Sequence, residues 1–114
     1  MATSTLKSNA STNVSVSYTA GEHVTVNSVA HRYSKSGVAH LFAQFHITTE
    51  TVNGETLITL NNVKSPKSVV ITPIVSSANK AYGTVELTSG GLLRSAGTLS
   101  AGDWYAVTIT YLYL

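Results

Sequence analysis

The chain has 114 residues, no cysteine and only two prolines. The missing cysteine excludes a disulfide scaffold, a thiolate metal site and a cysteine nucleophile. Charge is scarce as well. Only 11% of the residues are charged, about half the usual share, and Ser, Thr, Asn and Gly take their place. Seven basic and five acidic residues leave a net charge of +2. The closest basic pairs are Arg32 with Lys35 and Lys64 with Lys67. No basic stripe forms, so nucleic-acid binding is not indicated. No apolar run approaches membrane-spanning length, and no membrane insertion is expected. Residues Met1–Lys7 lack a charged region followed by an apolar core, so they do not read as a signal peptide. The expectation is a protein used without secretion, or a piece of a longer chain.

Catalytic groups are equally thin. Glu22, Glu50, Glu55, Glu86 and Asp103 are dispersed and mostly sit beside turns, which does not suggest the converging carboxylate pair of a glycosidase. There is no Gly-x-Ser-x-Gly elbow. Ser89-Gly90-Gly91 joins two expected strands and opens no helix, so it does not read as a phosphate loop. No nucleophile, base and orienting group can be assigned together. The reading is a protein that is not an enzyme, with no catalytic residue, no bound metal and no cofactor.

What the chain does contain is a period of two. The clearest internal strand is Val38–Thr48, with Ala39, Leu41, Ala43, Phe45 and Ile47 on a core face. His40, Phe42, Gln44 and His46 form the other face, which suits a half-buried or subunit-facing surface. Shorter alternating or β-branched runs occupy Asn13–Tyr18, His23–Tyr33, Glu55–Leu60, Val69–Val75, Tyr82–Thr88 and Leu92–Ser95. Turn residues separate them: Ala20-Gly21, Ser34–Gly37, the Asn53-Gly54 pair as a hairpin signal, the Asn61–Lys67 loop with Pro66, the Ser76–Lys80 loop, Ser89–Gly91 and Gly97–Gly102. Pro73 marks the far end of its run as an edge or a bend. No segment has a helical period. Eight or nine short strands at regular spacing predict an all-β fold, an antiparallel β-sandwich or jelly-roll-like barrel. Residues 12–114 form that single domain, and the Ser/Thr/Asn-rich residues 1–11 read as a flexible or attachment segment.

The last twelve residues, Asp103–Leu114, are one strand with two apolar faces. Tyr105, Val107, Ile109, Tyr111 and Tyr113 share one face; Trp104, Ala106, Thr108, Thr110, Leu112 and Leu114 share the other. One face should fill the core and the other should meet another copy of the chain. A small domain without disulfides also draws stability from oligomerisation. The candidate interface residues are His40, Phe42, His46, Tyr111, Leu112 and Leu114. His40 and His46 lie roughly 20 Å apart along one strand, too far to share a metal within a chain. One histidine from each of three chains could hold an ion on a symmetry axis; the plainer role is a polar residue at a subunit surface. The candidate ligand-binding residues are Arg32, Tyr33, Arg94, Asp103 and Trp104, which combine aromatic faces with hydrogen-bonding groups. Trp104 also reads as the anchor that starts the closing strand.

Three stretches carry a resemblance to a known family: His31–Ile47, Gly83–Leu92 and Gly102–Leu112. His31–Ile47 is similar to an early hairpin with a basic and aromatic start, a Gly turn and an alternating strand. Gly83–Leu92 is similar to a late hairpin with a Gly tip. Gly102–Leu112 is similar to a closing strand with a Trp and a Thr-Tyr ending. Together they resemble the C-terminal head or tip domains of tailed-phage receptor-binding and tail-fibre proteins, chiefly from phages of Gram-positive bacteria. Of that family's central loop, Leu60–Lys67 keeps only Pro66. The resemblance implies a homotrimer of β-sandwich subunits on the virion, in a tail, baseplate or surface fibre. It implies non-catalytic recognition of a host-surface glycan, with other virion proteins held through the N-terminus. Two alternatives stand beside it: a structural virion protein acting in assembly, as decoration, head fibre or baseplate component, and a small lectin-like domain outside phages.

Overall fold

A computed structural model describes residues 11–76 and 82–114. Nine strands occupy them: β1 (Ser11–Val14), β2 (Tyr18–Ala20), β3 (Val24–Ser34), β4 (Val38–Ile47), β5 (Thr56–Leu60), β6 (Val70–Ser76), β7 (Tyr82–Leu87), β8 (Leu92–Ser95) and β9 (Trp104–Leu112). The described residues contain no helix. The fold is all-β, one antiparallel sheet in the order β1-β3-β4-β9-β6-β7-β8-β5-β2, curled into a half-barrel. The expected attachment segment, Ser11 apart, and the expected Ser76–Lys80 loop, Ser76 apart, lie outside the described residues.

Alternation places the core. Ala39, Leu41, Ala43, Phe45 and Ile47 of β4 have no exposed surface, and Tyr105, Val107, Ile109 and Tyr111 of β9 face them. Leu57, Ile58 and Leu60 of β5, Ile74 of β6, Val85 and Leu87 of β7, Leu93 of β8 and Leu99 close the other side. A register shift between Thr56 and Ile58 turns two successive side chains, Leu57 and Ile58, inward. Two tight turns follow the expected chemistry. Gly37 (φ 105°) closes β3 onto β4 through a bond from its N–H to the Ser34 carbonyl, and Gly91 (φ 82°) closes β7 onto β8.

Two local expectations change. Asn13–Tyr18 is not one strand, because the chain there switches partners: β1 pairs with β3, and β2 pairs with β5. Asn62 holds the switch, its Nδ2 donating to the Ser15 carbonyl and its Oδ1 accepting from the Ser17 N–H, both at 2.8 Å. The two edges of the sheet are therefore consecutive in the chain. The Asn53-Gly54 turn does not make a hairpin either. It links β4 to β5, which do not pair with each other. The turn is seated on the β8 end instead: Gly54 N–H donates to the Ser95 carbonyl at 2.8 Å, and Asn53 Oδ1 accepts from Gly97 N–H at 2.7 Å.

Among the described residues, β6 and β9 pair at Val75–Ala106 and Ser76–Tyr105 alone. Beyond that point they diverge around a cleft of about 340 Å³ lined by Pro66, Lys67, Val70, Thr110, Leu112 and Leu114. Pro73 sits on the stretch of β6 that pairs with β7 alone. Its missing N–H therefore costs no ladder bond toward β9, but the far end of the run, expected as an edge or a bend, is instead paired on both sides, Val75 lying opposite Tyr82 of β7 and Ala106 of β9.

Candidate functional site

The convex face of β1, β3, β4 and β9 is built from the residues that alternate with the core. Registration stacks them in cross-strand rows. One row is Asn13, Arg32, His40 and Thr110. The next is Ala30, Phe42 and Thr108, followed by Ser28, Gln44 and Ala106. The last is Thr25, His46 and Trp104. Directly opposed side chains on one sheet face lie about 5 Å apart at Cβ, so each row is a set of touching neighbours.

A groove of about 320 Å³ opens on this face between Asn13, Ala30, Arg32, His40, Phe42 and Thr108. Its chemistry is mixed: one amide, one guanidinium, one imidazole, one hydroxyl and one phenyl ring. Arg32 is exposed and is the single formally charged residue in the four rows. Among the described residues it has no ion-pair partner. His40 is held by a 2.9 Å hydrogen bond between its Nδ1 and the Thr110 hydroxyl. Gln44 is fixed by the Asn27 amide, whose Nδ2 donates to Gln44 Oε1 at 2.8 Å across the bulge between Val26 and Ser28. Of the groove residues, His40 is thus oriented before any ligand arrives, which lowers its ordering cost on binding.

The sequence-derived candidates distribute unevenly over this geometry. Arg32, His40 and Phe42 come together in the groove. His46 and Trp104 stand at the other end of the same face, with ring centroids 5.0 Å apart. Residues assigned separately to ligand and to interface thus share one continuous surface. Asp103 precedes Trp104 and is half-buried, its carbonyl accepting from Ile47 N–H at 3.1 Å. Tyr33 points to the inner side of β3, in a T-shaped contact with Tyr113 at 5.7 Å. Arg94 lies on β8, opposite Glu86 of β7, and its Nε donates to Glu86 Oε1 at 2.8 Å. It belongs to the other wall of the half-barrel, away from Arg32.

Tyr111 lies in the core at 5% exposure, and its hydroxyl donates to the Lys64 carbonyl. Burial pushes its phenol up to about 12. Leu112 and Leu114 are 65% and 67% exposed. Val69, just before β6, Ile71 and Val75 of β6, and Tyr82 at the start of β7 are exposed apolar residues as well. Sequence reasoning missed Asn13 and Thr108 as groove-forming residues and Thr110 as the hydrogen-bond partner of His40. The alternation placed Thr108 and Thr110 on the outward face, but nothing local to Asn13 or to β9 shows that both lie beside Arg32 and His40. No protein-family model matches the chain, and no curated protein matches it in sequence, so the geometry of this face carries the functional reading.

Proposed function

We propose that this chain is a non-catalytic binding module that recognises saccharide on a host cell surface. In this reading it is carried on a phage virion, in a tail, baseplate or surface fibre, as a homotrimer of sandwich- or jelly-roll-like subunits. The observation that carries the saccharide reading is the groove at Arg32, His40, Phe42, Asn13 and Thr108. A sugar offers hydroxyls that need fixed donors and acceptors, and C–H faces that need a flat apolar partner. Amide, guanidinium, imidazole and hydroxyl groups around a phenyl ring meet both needs. The volume is at the lower end of the range for small-molecule sites, about 300–1,000 Å³, and suits a short stretch of a longer glycan. An unpaired guanidinium on a face without carboxylates favours a glycan that bears an anionic group. The phage assignment rests on the family resemblance of the three stretches.

The homotrimer is seated most simply on the exposed apolar residues Val69, Ile71, Val75, Tyr82, Leu112 and Leu114. Exposed apolar surface of this kind marks interaction sites. The same residues support the second reading, a structural virion protein whose function is assembly. A glycan array and a host-cell binding assay test the proposal with wild type, Arg32→Ala and Phe42→Ala, folding being checked by circular dichroism. Wild-type binding that both variants lose supports it. No binding to any host envelope, together with co-purification with virion proteins, selects the structural reading. A monomer that binds free sugar selects the lectin-like domain outside phages.

A further inference from the structure

Below the groove, on the inner side of the same strands, lies a polar cluster centred on His31, which also contributes to the groove's lining. His31 of β3 is 4% exposed. Its Nδ1 lies 2.9 Å from the His40 carbonyl, which can only accept, so Nδ1 carries the proton. Its Nε2 lies 3.1 Å from the Lys64 backbone N–H, which can only donate, so Nε2 is the acceptor. The two contacts together fix the neutral Nδ1–H tautomer. Lys64 is the centre of the β5–β6 loop and is held in two further ways. Its carbonyl accepts from the Tyr111 hydroxyl, and its ammonium sits 5.0 Å from the Tyr33 ring centroid and 5.6 Å from that of Tyr113. Two residues on, Pro66 and Lys67 form one wall of the cleft between β6 and β9.

We infer that His31 is an acid-sensitive latch: its protonation releases the β5–β6 loop at Lys64 and opens the cleft between β6 and β9. A protonated ring carries N–H on both nitrogens. Nε2–H would then face the Lys64 N–H, two donors 3.1 Å apart with no acceptor between them. The new charge would also lie near the Lys64 ammonium. The titratable and charged groups around His31 are His40 from β4, Lys64 from the loop, Tyr33 from its own strand and Tyr111 from β9, which acts through the Lys64 carbonyl. Val14 of β1 and Leu41 of β4, its register partners, are uncharged. No carboxylate among the described residues takes up the charge.

Burial is the largest effect and holds the imidazole below its ordinary value of 6.5; the hydrogen bond to the His40 carbonyl acts in the opposite direction, and His40 and Lys64 add to the lowering. The sign follows. Between the folded and unfolded values the unfolded chain binds more protons, so stability rises with pH there. The hold on the loop is complete above about 6.5 and is lost as pH falls from there through the lower folded value.

The test is nuclear magnetic resonance on the whole chain. Side-chain ¹⁵N shifts follow His31, and hydrogen exchange, corrected for intrinsic rate, follows the Lys64 amide from pH 8 to pH 5. The expected result is a neutral Nδ1–H ring at pH 8 and a fall of about tenfold or more in Lys64 protection that coincides with His31 protonation. His31→Gln keeps a donor for the His40 carbonyl and an acceptor for the Lys64 N–H without titrating, so its Lys64 protection should stay flat. His40→Gln should retain the fall. An Nε2–H tautomer at pH 8 overturns the inference. So does a protonated His31 with Lys64 still protected, or the same fall in His31→Gln. The first two readouts are taken on wild type and hold whether or not a variant folds.

Discussion

Adjacent residues in the closing strand should respond to mutation in opposite ways. Tyr111 is 5% exposed and Leu112 is 65% exposed. A buried aromatic removes about 200 Å² from water, worth about 5 kcal/mol at 25 cal/mol per Å². That is an upper figure, because denatured chains already bury part of the area. Truncation of large core aromatics costs about 3–5 kcal/mol. Loss of the hydrogen bond from Tyr111 to the Lys64 carbonyl adds about 1 kcal/mol. Tyr111→Ala should therefore lose about 4–6 kcal/mol, out of about 6–17 kcal/mol for a chain of this size. Leu112→Asp should stay within about 0.5 kcal/mol in the subunit itself. It should instead weaken self-association, since it places a charge at an exposed apolar position of the proposed interface. Urea denaturation measures the first effect and sedimentation equilibrium at micromolar concentration the second. A Tyr111→Ala loss below about 1 kcal/mol would refute the packing account. Equal destabilisation by Leu112→Asp would refute the assignment of the two faces.

Other sites give independent checks. Thr51 is fully buried, and its Oγ1 accepts from Leu99 N–H at 2.9 Å. Thr51→Val keeps the shape but leaves that donor unpaired, so denaturation should show a loss of about 1–3 kcal/mol. A Cβ on Gly21 would stand 2.3 Å from the Thr56 carbonyl oxygen and 2.9 Å from that of Leu57. Both obstacles are backbone, so Gly21→Ala should cost at least the roughly 1–3 kcal/mol typical of overpacking and lower Tm accordingly. The neutral Tyr111 phenol is favoured in the fold. An unfolded tyrosine ionises near 10 and this one near 12, so stability should be complete below pH 10 and fall by about 2–3 kcal/mol as pH rises toward 12. Tyrosinate absorbance should show a late-ionising component in wild type that shrinks by one residue in Tyr111→Phe, while Tyr105, whose phenol burial and the nearby Asp103 also push up, still ionises late.

Much of the fold was legible because strand alternation is local. The β4 pattern named all five of its core residues, and the β9 pattern separated its two faces, because a period of two fixes which side each residue takes. What was not legible depends on which strands meet. Asn53-Gly54 has the chemistry of a hairpin turn, yet β4 and β5 have stronger partners elsewhere: β4 lies between β3 and β9, and β5 between β8 and β2. The partner switch between β1 and β2 is decided by Asn62, more than forty residues away. The candidate site has the same limitation. Arg32 and His40 could be paired across the Ser34–Gly37 turn. Thr108, Thr110 and Asn13 join them only through long-range register. Arg94, a candidate ligand-binding residue by its hydrogen-bonding chemistry, is engaged by its cross-strand neighbour Glu86, a pairing that local sequence does not show.

The most direct test of the central claim compares three single substitutions for binding to host cell-wall polysaccharide. Arg32→Ala and Phe42→Ala remove groove residues, whereas Arg94→Ala removes a paired cation on the opposite wall. Wild type and Arg94→Ala should bind alike, and the two groove variants should lose at least about tenfold in affinity while remaining folded, as expected when a contact worth about 1.4 kcal/mol or more is removed. Wild-type affinity in both groove variants would contradict the claim.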